Sequence, residues 1–250
     1  MARPRLVLVD DPDELGRVGA DLAAETITRN PASWVVVATG RTPMGLYAEL
    51  ASRRRAGLID AGQMTAVQLD EYLGLAAGDR RSLHGWMRRS FLEPLEIPED
   101  RVITLPLDGD LARGCSAFDE AIEARGGLDL AILGLGQNGH LGFNEPPSDD
   151  QARTRRVQLS PVTIEANARY WGVASDVPSE AVTVGLHSLL AARRIVLVVS
   201  GEGKHEIVRE VVDGPVVPAV PASYLQEAEG DVTVVVDRAA WGSDRAPRRR

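Results

Sequence analysis

The chain alternates short apolar runs with longer stretches in which apolar residues recur at helical spacing. Short apolar runs flanked by turn-forming residues predict strands, and helical spacing predicts amphipathic helices. Because several runs are apolar almost throughout, we expect strands that are buried on both faces, as in a parallel sheet covered by helices. The predicted strands are Arg5–Val9, Trp34–Ala38, Ala66–Leu69, Arg101–Thr104, Leu128–Leu133, Arg194–Ser200 and Asp231–Val236.

The first predicted helix has the clearest boundaries in the sequence. Asp11 is placed to cap its amino end, Pro12 suits its first turn, and Glu14 completes a capping-box pattern. Leu15 and Leu22 then fall on one face of the helix. The other predicted helices are Met44–Arg55, Ser82–Leu92, Leu111–Ala124, Pro161–Trp171, His187–Ala192 and Lys204–Asp213.

Strands that alternate with helices in this way predict an α/β fold with three layers. We expect a mostly parallel, Rossmann-like sheet with helices on both faces. Because no internal repeat or low-complexity linker divides the chain, residues 1–243 are predicted to form a single domain. The polar loop that starts at Pro146 predicts a mobile flap around residues 146–172, and residues 244–250 are predicted to be a basic, solvated tail.

Composition argues against several classes of function. The 250 residues carry a formal net charge of −8, which argues against a nucleic-acid partner. A single cysteine, Cys115, excludes a disulfide framework and a thiolate metal cluster, and no spacing of His and Asp resembles a set of metal ligands. No targeting segment and no stretch of membrane-spanning length is visible, so we expect a cytoplasmic protein without a membrane partner.

The strongest candidate for chemistry is the turn that follows the predicted strand Leu128–Leu133. Its glycines, in the sequence GLGQNGHLGF, allow the backbone to turn sharply and approach a ligand closely. The turn then delivers His140, Asn144 and Glu145. Histidine titrates near neutrality and can move protons, and a glutamate can orient it. A glycine-rich turn with a lone histidine can also be purely structural, but these polar residues together favour an active site.

Two more strand exits carry polar groups. In the segment Ala38–Pro43, Thr39, Thr42 and the first amides of the next helix predict an anion cradle, although a plain turn with a capping threonine has the same pattern. Asp70 and Glu71 follow another apolar strand. They could act as a proton-abstracting base and a supporting acid, or they could cap the next helix.

Lys204 follows a fourth strand exit, in the sequence SGEGK, where it could bind a phosphate as a point charge. Arg169 offers a second cation, although exposed basic residues usually bind nothing specific. Open α/β sheets bind their ligands beyond the carboxyl ends of the strands. The four exits together therefore predict a small phosphorylated substrate that is held at one end and deprotonated at the other.

These motifs resemble the glucosamine-6-phosphate deaminases, within a larger group that includes 6-phosphogluconolactonases. The resemblance follows the family order over nearly the whole chain. The matching segments are ATGRTP (38–43), LDEYLGL (69–75), GLGQNGHLGFNEP (134–146), ARTR (152–155), the Arg169 region, AVTVG (181–185), SGEGK (200–204) and PASYLQ (221–226). Lactonases typically have Asp-Glu-Arg at the second motif and a different continuation after the histidine, so this chain resembles the deaminases more closely.

The resemblance implies an activity and a role for each site residue. Glucosamine 6-phosphate would be isomerised and deaminated to fructose 6-phosphate and ammonia by a hydrolase that needs no cofactor and no metal. Asp70 would carry the C2 proton to C1, His140 would open the sugar ring, and Glu145 would hold His140. The residues implied in phosphate binding are Gly40, Arg41, Thr42, Arg169 and Lys204.

Three positions depart from the family pattern. Asn138 stands where many members have aspartate, so the imidazolium form of His140 would be less stabilised. Arg41 replaces a usually small residue, and it could contact phosphate or point outward. Val157 stands where allosteric members have lysine, which argues against activation by N-acetylglucosamine 6-phosphate.

Other functions stay open on sequence alone. On the same scaffold, the chain could be a 6-phosphogluconolactonase or a deaminase of galactosamine 6-phosphate. A non-catalytic sugar-phosphate sensor is an alternative of a different class. Regulators of that kind carry a DNA-binding helix-turn-helix ahead of the domain, whereas the first predicted strand here begins at Arg5. The sequence leaves the choice between a monomer and a homo-oligomer open.

Overall fold

A computed structural model describes residues 3–76 and 78–242 of the chain, and the predicted basic tail at 244–250 lies outside these ranges. The predicted strands form, with small shifts at their ends. The strands are β1 (Arg5–Val9), β2 (Trp34–Val37), β3 (Thr65–Gln68), β4 (Asp70–Tyr72), β5 (Val102–Ile103), β6 (Leu130–Gly134), β7 (Arg155–Gln158), β8 (Glu180–Thr183), β9 (Arg194–Val199) and β10 (Asp231–Asp237).

The predicted helices also form, and Asp11 caps the first of them by accepting a hydrogen bond of 2.8 Å from the Glu14 amide. The helices are α1 (Pro12–Arg29), α2 (Met44–Arg55), α3 (Leu83–Met87), α4 (Glu93–Leu95), α5 (Leu111–Ala124), α6 (Pro161–Trp171), α7 (Leu186–Leu190), α8 (His205–Asp213) and α9 (Arg238–Trp241). A π-helical turn over Arg88–Leu92 joins α3 to α4. Within the described ranges, no helix has the length and apolar character needed to cross a membrane.

The main sheet contains seven strands in the order β1-β10-β9-β6-β2-β3-β5. Every neighbouring pair in this sheet is parallel. Strands β4, β8 and β7 form a separate antiparallel sheet of three strands. The prediction of a mostly parallel sheet is therefore confirmed.

Two apolar cores cover the two faces of the main sheet. Successive side chains of a strand point to opposite faces. Val35 and Val37 of β2 accordingly pack in one core with α1 and α2, whereas Val36 packs in the other core with α5 and α8. This burial on both faces explains the nearly continuous apolar runs of the strands, and it confirms the predicted three-layer α/β fold.

The sheet order places the four candidate segments next to one another. Strands β9, β6, β2 and β3 are consecutive neighbours that run in one direction, so their carboxyl ends share one edge. The chain continues from β2 to β3 and β5 on one side, and from β6 to β9 and β10 on the other. The winding direction thus reverses between β2 and β6, and α/β proteins bind ligands in the crevice at such a reversal.

The small antiparallel sheet is the feature that the hydrophobic pattern does not predict. Strand β4 has three residues, of which two are acids, and β7 is polar at most of its positions. Thr183 of β8 pairs with Asp70 on one side and with Arg155 on the other. Asp70, which the sequence places directly after an apolar strand, therefore lies on a paired strand of its own.

Helix α1 determines where the amino end of α2 can lie. A Cβ atom on Gly16 of α1 would lie 2.9 Å from the carbonyl carbon of Gly45 in α2. The two helices can approach this closely only because residue 16 is glycine. Gly45 belongs to the first turn of α2, directly after the predicted anion cradle at 38–43, so the contact fixes that cradle against α1.

Replacing Gly16 with alanine is expected to push α2 away from α1. Although alanine favours helices more than glycine does, the overpacked contact should lower the free energy of unfolding by about 1 to 3 kcal/mol. Urea denaturation measures this change. The matched control is Gly203→Ala, because a Cβ atom there would meet no atom within 4 Å. An equal loss of stability in the two variants would contradict the proposed contact.

Candidate active site

Asp70 and Glu71 are buried neighbours on β4, but they have different surroundings. The Oε1 atom of Glu71 accepts hydrogen bonds of 2.9 Å from the amides of Tyr72 and Leu83, and Oε2 accepts one of 2.8 Å from the amide of His84. Since Leu83 and His84 are the first residues of α3, Glu71 caps that helix. The Oδ1 atom of Asp70 is also buried, but within the described ranges it has no hydrogen-bond partner.

Burial without a partner makes the Asp70 carboxyl group difficult to ionise. Burial, and secondly the negative charge of Glu71, raise the pKa of Asp70 to about 8. A group with such a pKa exchanges its proton near neutral pH, which suits it to general acid–base catalysis. Of the two roles that the sequence leaves open for this acid pair, helix capping thus belongs to Glu71, and Asp70 is the candidate base.

The turn after β6 holds the imidazole ring of His140 against its own glycines. A Cβ atom on Gly136 would overlap the ring, so only glycine allows the ring to lie there. Gly139 has a φ of +81° and packs closely against Val220 and Ile207. The glycines that predict a sharp turn from the sequence therefore also provide the space for the histidine.

His140 is neutral at neutral pH. Burial, and secondly the positive charge of Lys204, lower the pKa of His140 to about 4. Its Nδ1 atom is buried and has no hydrogen-bond partner in the part of the chain that the structure describes. A neutral imidazole can take a proton from one oxygen atom and return it to another.

Lys204 and Arg169 approach the same region from different elements. Lys204 ends a short 3-10 turn after β9, and its Nζ atom donates a hydrogen bond of 2.6 Å to the carbonyl of Leu135. Burial, and secondly the charge of Arg169, lower the pKa of Lys204 to about 8. Arg169 is exposed on α6, with its guanidinium 4.7 Å from the ring centre of Tyr170. Two neighbouring cations favour the binding of an anion between them.

The loop after β2 presents the amino end of α2 to the same edge of the sheet. Gly40 has a φ of +112°, a backbone conformation that favours glycine. Helix α2 begins at a capping Pro43 without a hydrogen bond from its side chain, which excludes the alternative of a capping threonine. The Met44 amide donates to the carbonyl of Arg41 at 3.3 Å, so the amides of Gly45 and Leu46 are the ones suited to an anion. Thr42 is half-buried, whereas Arg41 is exposed. Of the two alternatives for Arg41, a phosphate contact or an outward-pointing side chain, this exposure favours the second.

Glu145 contacts the predicted flap instead of His140. Its Oε2 atom accepts a hydrogen bond of 3.1 Å from the amide of Ser160, and its buried Oε1 atom has no partner within the described residues. Ser160 caps α6 by accepting a hydrogen bond of 3.3 Å from the amide of Thr163. Glu145 therefore ties the turn after β6 to the start of the helix that carries Arg169.

The two asparagines of the turn after β6 support the backbone. Asn138 Oδ1 lies 3.4 Å from the backbone nitrogen of His140, which donates to it, and the side chain does not bond to the ring. Asn144 is completely buried, and its Nδ2 atom donates to the carbonyls of Leu141 and Val184 at 2.9 Å and 2.8 Å. Both residues thus shape the turn that presents His140.

Asp237 is a site residue that the sequence analysis does not identify. It ends β10 and accepts hydrogen bonds from the hydroxyl of Ser200, from the amide of Gly201 at 3.2 Å and from the amide of Ala240 at 2.7 Å. These contacts fix the turn that leads to Lys204. A buried acid at the end of an apolar strand is the sequence signal that could have identified it.

Gln68 is a second site residue to which the sequence analysis assigns no role. It ends β3, and its Nε2 atom donates to Glu71 Oε2 at 3.0 Å and to the carbonyl of Asp70 at 3.1 Å. Its Oε1 atom accepts a hydrogen bond of 3.2 Å from the amide of Leu105. Gln68 therefore connects the two acids of β4 to the main sheet.

This arrangement can hold an anion and move protons beside it. Within residues 3–76 and 78–242, no group of three or more His, Cys, Asp or Glu side chains could hold a metal ion. The neutral His140 and the cation Lys204 follow strands of the parallel sheet, and Arg169 of α6 is close enough to Lys204 to lower its pKa. Asp70, an acid with a pKa near neutrality, lies on β4 just beyond β3. The fold and the site together define the class of the protein: a three-layer α/β protein with a candidate acid–base site beside cations that suit an anion.

Comparison with known proteins identifies the family. Residues 12–234 match the family described as glucosamine-6-phosphate isomerases/6-phosphogluconolactonase, and the chain belongs to this family. A glucosamine-6-phosphate deaminase from Bacillus velezensis is 39% identical over 235 residues, which cover 93% of this chain and 96% of the relative. A glucosamine-6-phosphate deaminase from Clostridium perfringens is 37% identical over 237 residues, which cover 94% and 98%.

Solved structures of proteins with related names share the fold of this chain. A monomeric glucosamine-6-phosphate deaminase is similar with a TM-score of 0.90 and 34% identity, over 94% of this chain and 98% of that one. The 6-phosphogluconolactonase from Leishmania guyanensis has a TM-score of 0.77 and 18% identity, over 98% of this chain and 100% of that one. At this low identity the lactonase shares the fold alone.

Replacing Asp70 with asparagine is expected to stabilise the fold at alkaline pH. Because the pKa of Asp70 is raised, the folded protein binds more protons than the unfolded chain between pH 3.8 and about 8. The stability of the wild type should therefore fall as the pH rises through that window, whereas asparagine stays neutral throughout. We expect the melting temperature of Asp70→Asn to exceed that of the wild type more clearly at about pH 9 than at about pH 5.

Thermal unfolding followed by circular dichroism measures this difference, with Asp129→Asn as the matched control. The carboxylate of Asp129 is buried like that of Asp70, but it is paired with Arg125 at 2.7 Å and with Arg193 at 3.1 Å. Its loss should lower the melting temperature at both pH values. A difference between Asp70→Asn and the wild type that does not change with pH would contradict an unpaired, buried Asp70.

Proposed function

We propose that the chain is a glucosamine-6-phosphate deaminase, which converts glucosamine 6-phosphate and water to fructose 6-phosphate and ammonia. The proposal rests on Asp70, whose buried Oδ1 atom has no hydrogen-bond partner among the described residues, just beyond the sheet edge at which the neutral His140 lies. The deaminases with 37% and 39% identity support the choice of substrate. Chemically, the reaction is an isomerisation followed by a hydrolytic loss of ammonia.

The phosphate group is anchored at one end of the site. Gly40, Arg41 and Thr42 surround the uncapped amino end of α2, whose amides donate hydrogen bonds to phosphate oxygens. Lys204 supplies positive charge from the turn after β9, and Arg169 supplies it from α6. This anchoring leaves the sugar ring to reach His140 and Asp70.

His140 opens the pyranose ring. In its neutral form it takes the proton from the O1 hydroxyl group and returns a proton to O5, so the C1–O5 bond breaks and an aldehyde forms at C1. Asn138 supports this step by holding the backbone of the turn. Glu145 supports it less directly, because its bond to Ser160 joins the turn to α6.

Asp70 then transfers a proton from C2 to C1. As a carboxylate it takes the C2 proton, while one proton of the substrate's ammonium group passes to the C1 oxygen, so an enolamine with a free amino group forms. Return of the proton to C1 gives the imine at C2. Water adds to this imine and ammonia leaves, which produces fructose 6-phosphate.

The segment 146–172 acts as a flap in this proposal. Its helix α6 carries Arg169 and is attached at its two ends to the candidate site. The amino end is held through Ser160 and Glu145, and at the carboxyl end the ring of Trp171 lies 5.2 Å from that of Tyr72. A phosphate that binds Arg169 therefore favours the position of α6 over the substrate.

Release of ammonia from glucosamine 6-phosphate tests the proposed function. We expect the wild type to release ammonia, and we expect Asp70→Asn to lower kcat by at least about 100-fold while it retains substrate binding, because the anchoring groups are intact. Asp129→Asn serves as the control, since it alters a carboxylate at the opposite edge of the sheet.

Parallel assays with galactosamine 6-phosphate and 6-phosphogluconolactone distinguish the related activities. Hydrolysis of the lactone without release of ammonia would refute the proposal, and so would full turnover by Asp70→Asn.

The dependence of kcat/KM on pH is expected to be bell-shaped, with both limbs near pH 8. Activity should rise as Asp70 loses its proton with a pKa of about 8, and it should fall as Lys204 loses its charge with a pKa of about 8. A bound phosphate keeps Lys204 protonated, so the alkaline limb should be weaker in kcat than in kcat/KM. Steady-state kinetics across the pH range measures both profiles.

Lys204→Arg is the variant that isolates the alkaline limb. Arginine stays charged, so this limb should disappear from kcat/KM while the acidic limb remains. An alkaline limb that persists unchanged in Lys204→Arg would contradict this assignment.

A further inference from the structure

Glu71 is the most completely hydrogen-bonded acid near the candidate site. Its carboxylate accepts three hydrogen bonds from backbone amides and a fourth, of 3.0 Å, from Gln68 Nε2. All four partners are donors, so both carboxylate oxygens of Glu71 act as acceptors. The side chain is 1% exposed, and solvent does not screen its charge.

Gln68 transmits the position of Glu71 to Asp70. The amide group of Gln68 is oriented by the hydrogen bond from the Leu105 backbone to Oε1, and its Nε2 atom then bridges Glu71 Oε2 and the carbonyl of Asp70. Glu71 in turn holds the start of α3 through Leu83. Asp70 thus belongs to a cluster that joins β3, β4 and α3.

We propose that Glu71 is a positioning residue for the reaction: through its four hydrogen bonds it fixes the backbone of Asp70 and places a negative charge beside it. This inference rests on the proposed function, because it assumes that Asp70 is the base. Successive side chains of a strand alternate between faces, so Glu71 faces α3 while Asp70 faces the site. Glu71 thus acts on the reaction through Asp70 and does not touch the substrate.

The charged and titratable groups around Asp70 support this role. Burial, and secondly the negative charge of Asp70, raise the pKa values of Tyr47 on α2 and of Tyr72 on β4, so both stay protonated. The hydroxyl of Tyr47 donates to the carbonyl of Ala38 at 2.7 Å and does not bond to Asp70. On β8, the residue paired with Asp70 is the neutral Thr183.

The charge of Glu71 therefore acts on Asp70 without compensation from a cation bonded to either acid in the described structure. It is the second cause, after burial, of the raised pKa of Asp70. From α3, His84 contacts Glu71 through its backbone amide, which donates a hydrogen bond to Glu71 Oε2. Removal of the Glu71 charge should make Asp70 easier to ionise.

The acidic limb of kcat/KM in the Glu71→Gln variant tests this inference. We expect the limb to move to lower pH by about one unit, because one like charge beside Asp70 is lost. We also expect kcat to fall about tenfold, since glutamine cannot accept all four hydrogen bonds and Asp70 is held less firmly. A residue with only a structural role would lower kcat or stability without moving the limb.

Gln68→Met provides a second test that does not depend on the folding of Glu71→Gln. It keeps both acids but removes the donor that partly neutralises Glu71, so the acidic limb should move in the opposite direction, to higher pH. Asp129→Asn, which removes a buried carboxylate that accepts a hydrogen bond from the Trp34 amide, should leave the limb in place. The inference would be overturned if the acidic limb of kcat/KM had the same midpoint in the wild type, in Glu71→Gln and in Gln68→Met.

Carbon-13 NMR of the Asp70 carboxyl group separates this inference from the proposed function. The titration of Asp70 can be followed in the free protein without any substrate, with Asp70→Asn to assign the signal. A lower titration midpoint in Glu71→Gln supports the inference even if the wild type releases no ammonia. An unchanged midpoint in a folded Glu71→Gln protein overturns it even if ammonia release establishes the deaminase.

Discussion

The parallel pairing of β6 with β2 on one side and with β9 on the other is the constraint on which the site depends. Residues 35–37 of β2 pair with residues 130–132 of β6, and residues 131–134 of β6 pair with residues 195–198 of β9. A shift of one residue in either pair would exchange the side chains between the two cores, so the register is strongly held. The register therefore fixes how far along the sheet β6 and β9 end, and with it the relative positions of the turns that carry His140 and Lys204.

The long elements could be predicted from the sequence because local signals mark their ends. Helix α5 starts at a capping Asp110 and α6 at a capping Ser160, and both helices span the predicted residues. The small antiparallel sheet could not be predicted, since its strands pair across long separations, as Asp70 does with Thr183. A strand of three residues with two acids has little local preference of its own, and tertiary contacts decide its conformation.

The same distinction applies to the candidate site. The position of each polar group at a strand exit could be read from the sequence, but its surroundings could not. Asp70 and Glu71 differ because the amides of α3 reach one carboxylate and not the other. His140 is neutral partly because Lys204 arrives from a different strand. These differences in charge come from contacts between distant segments, so residue type and spacing are not sufficient to predict them.

The order of the strands also has a consequence for how the site can change. Along the edge, Lys204 follows β9, His140 follows β6, the uncapped start of α2 follows β2, and Asp70 lies just beyond β3. Groups suited to hold an anion thus alternate with groups suited to move a proton. Each of the two inner strands, β6 and β2, has neighbours of the opposite kind on both sides. The anion-binding groups and the proton-transfer groups therefore lie on neighbouring strands. A displacement of any one strand pair would disturb both anion binding and proton transfer. A change in the strands that altered which anion binds would therefore also alter the proton-transfer groups. Substitutions that alter only one of the two functions are expected among the side chains of the turns.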